Sequence, residues 1–222
     1  MEYEMKAKIT KKQLMELLHN YLPASNDTAK FLIKADRYFS FGGIEPKEPK
    51  QNIRLRDEVS YSFRELLKEK EIDINDSKAI TELLQTDWDD LLTSDDRYCL
   101  LTIKEKKTLE DSEMNEEHEG KMDKEAGMAF HRAMKIANFQ PYFVKNKNSI
   151  SFYTEENGWL LHCEIVSVNG SDIYLEVECC TGVTDPTDTI REFMFKLGIN
   201  KADTRSWSEI IKETSIYKKT SV

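Results

Sequence analysis

Glu2-Tyr3-Glu4-Met5-Lys6-Ala7-Lys8-Ile9 opens the chain as a strand with two unlike faces. Successive side chains on a strand point to opposite sides, so Glu2, Glu4, Lys6 and Lys8 share one face, opposite Tyr3, Met5 and Ile9. The same division recurs along the chain. Arg54 and Arg56 oppose Ile53 and Leu55; Thr102, Lys104 and Lys106 oppose Leu101 and Ile103. His162 and Glu164 oppose Leu161, Cys163 and Ile165, and Glu176 and Glu178 oppose Leu175 and Val177.

A sheet with one face in water would alternate in the same way. Two features point elsewhere. The charged faces are nearly pure in Glu, Lys and Arg, and several amphipathic helices are available to cover the apolar faces. If helices pack outside, the charged faces converge on one another. The expected fold is α+β, an antiparallel closed or nearly closed β-barrel with a charged interior. Isolated buried charge is far too costly, so such an interior must be paired, solvated or filled by a ligand. Clustered carboxylates suit a hard divalent cation such as Mg²⁺ or Mn²⁺. Clustered Lys and Arg suit polyphosphate oxygens, with Arg offering forked donors.

The remaining elements follow from periodicity and caps. Thr10 caps a helix with Leu14, Leu17, Leu18 and Tyr21 on one face, ending before Pro23. Strands are expected at Phe31–Phe41, Asn52–Asp57, Tyr98–Lys107, Pro141–Tyr153, Trp159–Val168 and Ile173–Cys180. Residues 59–97 look helical, with Ile80, Leu83, Leu84, Trp88, Leu91 and Leu92 at helix spacing after Asp76 or Ser77. Thr108–Lys121, with its acidic run Glu110–Glu119, reads as a solvated loop. A helix over Asp123–Asn138 places Ala126, Phe130, Ala133, Met134 and Ala137 inward. Another begins at Asp185-Pro186 and closes at Gly198, and Ser206-Trp207-Ser208-Glu209 has capping-box spacing for a last one.

Composition sets the outer limits. The 222 residues suit a single domain, and a net charge of −9 argues against a general nucleic-acid binder. Apolar runs are too short for a membrane span, and no secretory or lipidation signal is visible. The four cysteines show no CxxC spacing. The expectation is a reduced, cytoplasmic protein with neither nucleic acid nor membrane as a partner.

Taken in order, the strands resemble the CYTH family, which groups class IV adenylate cyclases with thiamine triphosphatases among the triphosphate tunnel metalloenzymes. Glu2-Tyr3-Glu4-Met5-Lys6 matches its E-x-E-x-K hallmark. Asp36-Arg37-Tyr38-Phe39 resembles its D-x-Y-F strand, Ile53-Arg54-Leu55-Arg56 its L-R-x-R, and Leu101-Thr102-Ile103-Lys104 its L-T-x-K. Leu175-Glu176-Val177-Glu178 is similar to F-x-E-x-E, and Arg205-Ser206-Trp207-Ser208-Glu209-Ile210-Ile211 to the closing R-S-Y-x-x-L-L. The match spans the chain as one domain except residues 58–97, a helical insertion that would lid a tunnel mouth or pack outside the barrel.

The resemblance implies that Glu4, Glu176 and Glu178 hold Mg²⁺ or Mn²⁺, with Glu2 beside them and Glu164 in the place of an Asp. Lys6, Arg54, Arg56 and Lys104 would grip phosphate, and Glu4 and Lys6 would form the catalytic pair. Where the family carries K-x-R, this chain has Lys145-Asn146-Lys147, so the grip there rests on Lys145 or Lys147. His19, His118 and His131 read as bystanders. His162 would pair structurally or shuttle protons, and Trp207 would seal the core or stack on a substrate ring. The implied substrate is a small-molecule triphosphate: tripolyphosphate, thiamine triphosphate or a nucleoside triphosphate. Hydrolysis is the first expectation, an adenylate cyclase the second, a non-catalytic binding module the third, and a homodimer stays open.

Overall fold

The computed structural model describes residues 2–22, 28–46, 50–88, 92, 97–108, 112–180 and 185–220, without the side chains of 50–52, 106–108, 115, 180 and 214–220. Its eight strands are β1 (Glu2–Lys8), β2 (Lys30–Phe41), β3 (Lys50–Ser62), β4 (Tyr98–Thr108), β5 (Glu113–Met122), β6 (Phe139–Glu156), β7 (Trp159–Val168) and β8 (Ile173–Cys180). They close into a barrel in the order β1-β5-β4-β3-β2-β6-β7-β8. All pairings are antiparallel, and β1 closes the ring by matching Glu4 to Glu178 and Lys6 to Glu176.

Burial explains why the barrel closes. An open sheet would leave the charged face wet, yet Lys6, Lys34, Lys145, Lys147, Asp36, Glu164 and Glu176 are all buried. The apolar faces look outward and are covered by helices. The main cluster joins Tyr3, Met5, Leu175, Val177, Cys163, Ile165, Ile150, Phe152, Phe31 and Ile33 to four helices. These are α1 (Lys11–Asn20), α2 (Phe63–Glu69), α3 (Ser77–Gln85) and α5 (Thr187–Lys196). α1 starts on a full capping box between Thr10 and Gln13.

α4 (Lys124–Ile136) covers a separate patch of Phe39, Leu55, Cys99 and Met134. Its inner face differs from the expected one, because Ala126, Ala133 and Ala137 are exposed. The helix approaches through Gly127, where an added Cβ would lie 2.4 Å from Cys99 Sγ. That contact turns the helix onto Gly127 and Met134.

α6 (Trp207–Thr220) begins at the expected capping box, with the Ser206 N–H donating to Glu209 Oε2 at 2.7 Å. Trp207 and Ile210 pack on Val166, Val168 and Tyr174, which share the inward parity of Glu164 and Glu176. The helix thereby closes off part of the bore.

Three further expectations change. β3 runs on to Ser62, so the helical segment starts at Phe63 rather than at 58–59. α3 stops at Gln85, and Trp88 lies beyond it with its indole N–H returned to the Leu83 carbonyl at 3.1 Å; Leu91 lies outside the described residues. The segment expected to be an acidic loop contains β5, a full barrel strand paired to β4 and β1, while 109–111 lie outside the described residues. Phe63, Leu66, Ile80, Leu83 and Leu84 are part of the main apolar cluster, so α2 and α3 pack on the barrel's outside.

Candidate active site

The barrel encloses a cavity of about 240 Å³. Glu2, Glu4, Lys6, Arg54, Arg56, Lys104, Lys145, Lys147, Glu164, Glu176 and Glu178 all line it, so every sequence-derived candidate reaches one space. Strand parity accounts for this: each sits on the inward face of its strand. The Lys106 side chain lies outside the described residues.

The cations are arranged in pairs with carboxylates. Arg56 forks onto Asp36, Nε to Oδ1 at 2.6 Å and Nη2 to Oδ2 at 3.0 Å, and Lys145 Nζ stands 3.3 Å from the same carboxylate. Burial alone would raise the Asp36 carboxyl, but Arg56 and Lys145 outweigh it and hold it well below the usual range. Arg54 donates to Thr102 Oγ1 at 2.8 Å and Glu119 at 3.3 Å; Lys104 reaches Glu117 at 2.6 Å, and Lys6 lies 3.5 Å from Glu113.

The carboxylates fall into two groups. Lys34 Nζ lies 2.5 Å from Glu164 Oε1 and Lys147 Nζ 2.5 Å from Oε2. Lys147 also bonds Glu176 Oε2, and the Trp207 indole N–H donates to Glu176 Oε1 at 2.7 Å. Burial opposes ionisation of Glu176, yet Lys147 and Lys145 bring it down to about 2. Glu4 is different. It is 9% exposed and, among the described residues, makes no hydrogen bond or ion pair. Burial, then the fields of Glu176 and Glu113, push its carboxyl up to about 8 although Lys104 pulls the other way.

His162 lines the cavity between Glu178, 3.0 Å from its Nδ1, and Ser151, 2.8 Å from its Nε2, and stacks on Tyr153 at 4.9 Å. Burial lowers its pKa, but the bond to Glu178 and the field of Glu164 raise it overall. Trp207 is buried against Tyr174, ring centroids 5.0 Å apart. Tyr38, Tyr142 and Phe143 add aromatic wall, with Tyr38 centred 5.6 Å from Phe143. His19, bonded to Asn75, as well as His118 and His131, are not among the lining residues.

Sequence reasoning missed Lys34, Glu113, Glu117 and Glu119. Lys34 shares parity with Asp36 and Tyr38 in the quoted D-x-Y-F strand, which was its available signal. The three glutamates alternate at odd positions of β5, a pattern hidden because the opposite face of that strand is not apolar.

No family model and no curated protein matches the sequence. Solved structures do match. PH1819 from Pyrococcus horikoshii OT3 superimposes with a TM-score of 0.62 at 16% identity, covering 96% of this chain and 99% of that one. HpAC1 from Hippeastrum, provisionally named an adenylyl cyclase and reported with a dominant triphosphatase activity, gives 0.57 at 16%, covering 96% of each. A Vibrio parahaemolyticus protein, provisionally named an adenylate cyclase, gives 0.58 at 11%, covering 95% and 97%.

The fold is that of the CYTH tunnel. Likeness at these identities is a likeness of fold, and the CYTH tunnel brings here a closed antiparallel barrel with inward charge and outer helices. Among the described residues no helix is long and apolar enough to cross a membrane.

Whether the barrel interior suits a divalent cation is a matter of its donor set. Among the described residues no three carboxylate, His or Cys groups already stand as a coordination shell. The chemistry nevertheless fits. Glu4 is buried and, among the described residues, makes no hydrogen bond or ion pair; its register neighbours on β5 and β8 are Glu113 and Glu178. Like charges directly opposite repel, and oxygen donors of this kind are what Mg²⁺ and Mn²⁺ prefer.

Proposed function

We propose that the protein is a metal-dependent triphosphatase that binds a small triphosphate inside the barrel and hydrolyses it. The observation that carries the reading is the meeting of Lys6, Arg54, Arg56, Lys104 and Lys145 in one cavity with Glu4, which makes no hydrogen bond or ion pair among the described residues. Guanidinium forks and ammonium groups match phosphate oxygens. Their internal carboxylates hold them extended and satisfied, so incoming phosphate exchanges one anion for another rather than meeting bare buried cations.

Glu2, Glu4 and Glu178, with Glu113 alongside, would hold Mg²⁺ or Mn²⁺, whose contribution when bound is to neutralise phosphate charge. The chain's own residues position and polarise. Arg54, Arg56 and Lys104 fix the triphosphate, and Lys6, beside Glu4, stabilises charge at the reacting phosphorus. Water adds to the terminal phosphorus and the bridging P–O bond breaks, giving orthophosphate and the shortened phosphate. Cys99, Cys163 and Cys179 are buried and, among the described residues, form no disulfide, which suits a reducing, cytoplasmic setting.

A second reading, cyclisation of ATP, has its own support in the aromatic wall of Tyr38, Tyr142 and Phe143, which offers ring faces for a base. There the ribose 3′-oxygen attacks the α-phosphorus and diphosphate leaves. Incubation with tripolyphosphate, thiamine triphosphate and ATP, each with Mg²⁺ and with Mn²⁺, separates the two. Orthophosphate release is the expected result; cyclic AMP with diphosphate would establish the cyclase, and no product from any of them would leave a binding module.

A further inference from the structure

Lys34 and Lys147 are direct register partners on β2 and β6, both buried and both pointing into the bore. Two adjacent ammonium groups repel unless an anion lies between them. Glu164 does lie between them, one oxygen 2.5 Å from each ammonium, and Lys147 continues to Glu176, whose other oxygen takes the Trp207 N–H. Each oxygen of this carboxylate pair therefore has a tethered cation or donor beside it, although Glu164 Oε2 meets Lys147 as an ion pair without hydrogen-bond geometry. A metal ion arriving there would have to strip Lys34 and Lys147 and leave both buried without an anion. On the β1 side the conditions are reversed: Glu4 is buried, faces the cavity, and among the described residues has no hydrogen-bond or ion-pair partner.

We propose that Lys34 and Lys147 are resident cations that keep Glu164 and Glu176 engaged, so that the tunnel takes a single divalent ion at Glu4, joined by Glu113 and Glu178, which would exchange Lys6 at 3.5 Å and His162 at 3.0 Å for the ion. The inference rests on the metal-dependent reading above and narrows it. It assigns Glu164 and Glu176 to holding the barrel together and removes them from the metal shell. It makes Lys34 a positioning residue that decides where the ion sits. Lys147 joins it in that role, leaving phosphate to Lys145 on the same strand.

The test uses the full chain with Mn²⁺ alone as the probe, following the electron paramagnetic resonance signal of free Mn²⁺. One ion per chain is expected. Glu4→Gln should weaken binding at least about tenfold, whereas the double variant Lys34→Met with Glu164→Met, which removes the charge pair together, should stay within about threefold of the parent. Two ions per chain, or a double variant as weak as Glu4→Gln, would overturn the inference while leaving the metal-dependent reading standing. No Mn²⁺ bound by the parent chain would overturn both. Urea unfolding supplies a second measurement that does not depend on the double variant folding. Lys34→Ala should lose the same stability with and without saturating Mn²⁺, because the lock is in place in both; a loss that disappears when Mn²⁺ is added would mean that the metal displaces the lysine.

Discussion

Two corners of the same bore bury glutamates to a similar degree, Glu4 at 9% exposed and Glu164 at 3%, yet their surroundings are opposite. Glu164 sits between two lysine ammonium groups, and its carboxyl is held well below the usual range despite burial. Glu4 sits among Glu113, Glu176 and Glu178 and is pushed up to about 8. The difference teaches that burial and residue type do not by themselves separate a structural carboxylate from one awaiting a ligand. What separates them is whether the fold has already supplied the counter-charge.

The sharpest way to break that comparison is to delete each carboxylate. Glu164→Ala leaves the Lys34 and Lys147 ammonium groups buried beside one remaining carboxylate, and a loss of about 3–5 kcal/mol in urea unfolding is expected. The Glu4 carboxyl, pushed up to about 8, is already largely neutral at pH 7, so the isosteric Glu4→Gln should change stability by less than about 1 kcal/mol or raise it. Equal losses would erase the distinction between the corners.

A somewhat smaller effect separates metal-holding from phosphate-holding groups. Arg56→Ala removes the guanidinium that forks onto Asp36 and is proposed to pass to phosphate, and should cost roughly a hundredfold in kcat/KM for tripolyphosphate, with no recovery at high Mn²⁺. Glu178→Gln keeps size but removes an anionic donor, so its loss, about tenfold at low Mn²⁺, should shrink as Mn²⁺ is raised. Parallel responses to a metal titration would contradict the division of roles.

The smallest effect is one of slope. Asp36 is fully buried, and Arg56 and Lys145 depress its folded pKa. Its stabilising contribution is therefore complete above the unfolded carboxylate value of about 3.9 and is lost as pH falls from there through the folded value. Unfolding free energy of the parent chain should drop more steeply below about pH 4 than that of Asp36→Asn, whatever the variant's level at neutral pH. Identical slopes would mean that Asp36 is not the group protected by these cations.

The barrel and most of its lining were legible because charge and apolarity alternate along β1 and around Arg54 and Arg56 on β3, Thr102 and Lys104 on β4, His162 and Glu164 on β7, and Glu176 and Glu178 on β8. That alternation needs an apolar outer face, and β5 lacks one: Glu116, His118 and Gly120 are exposed, so the strand looked like a polar loop. With it went Glu113, Glu117 and Glu119, the counter-ions of Lys6, Lys104 and Arg54. The inner face of α4 was obscured by a close approach at Gly127, which carries no hydrophobic signal. Lys34 shares the inward parity of Asp36 but stands two residues outside the motif that begins there, with apolar Leu32 next to it on that face. The partnering that distinguishes Glu164 from Glu4 depends on which long side chains meet across the bore, and no single strand contains that information.

The most direct measurement is a crystal structure of the chain with Mn²⁺ and tripolyphosphate, the ion located by its anomalous scattering. One manganese peak beside Glu4, Glu113 and Glu178, with phosphate oxygens on Arg54, Arg56 and Lys104 and Lys34 still on Glu164, is the predicted result. A peak between Glu164 and Glu176, or a triphosphate bound outside the barrel, would contradict the account.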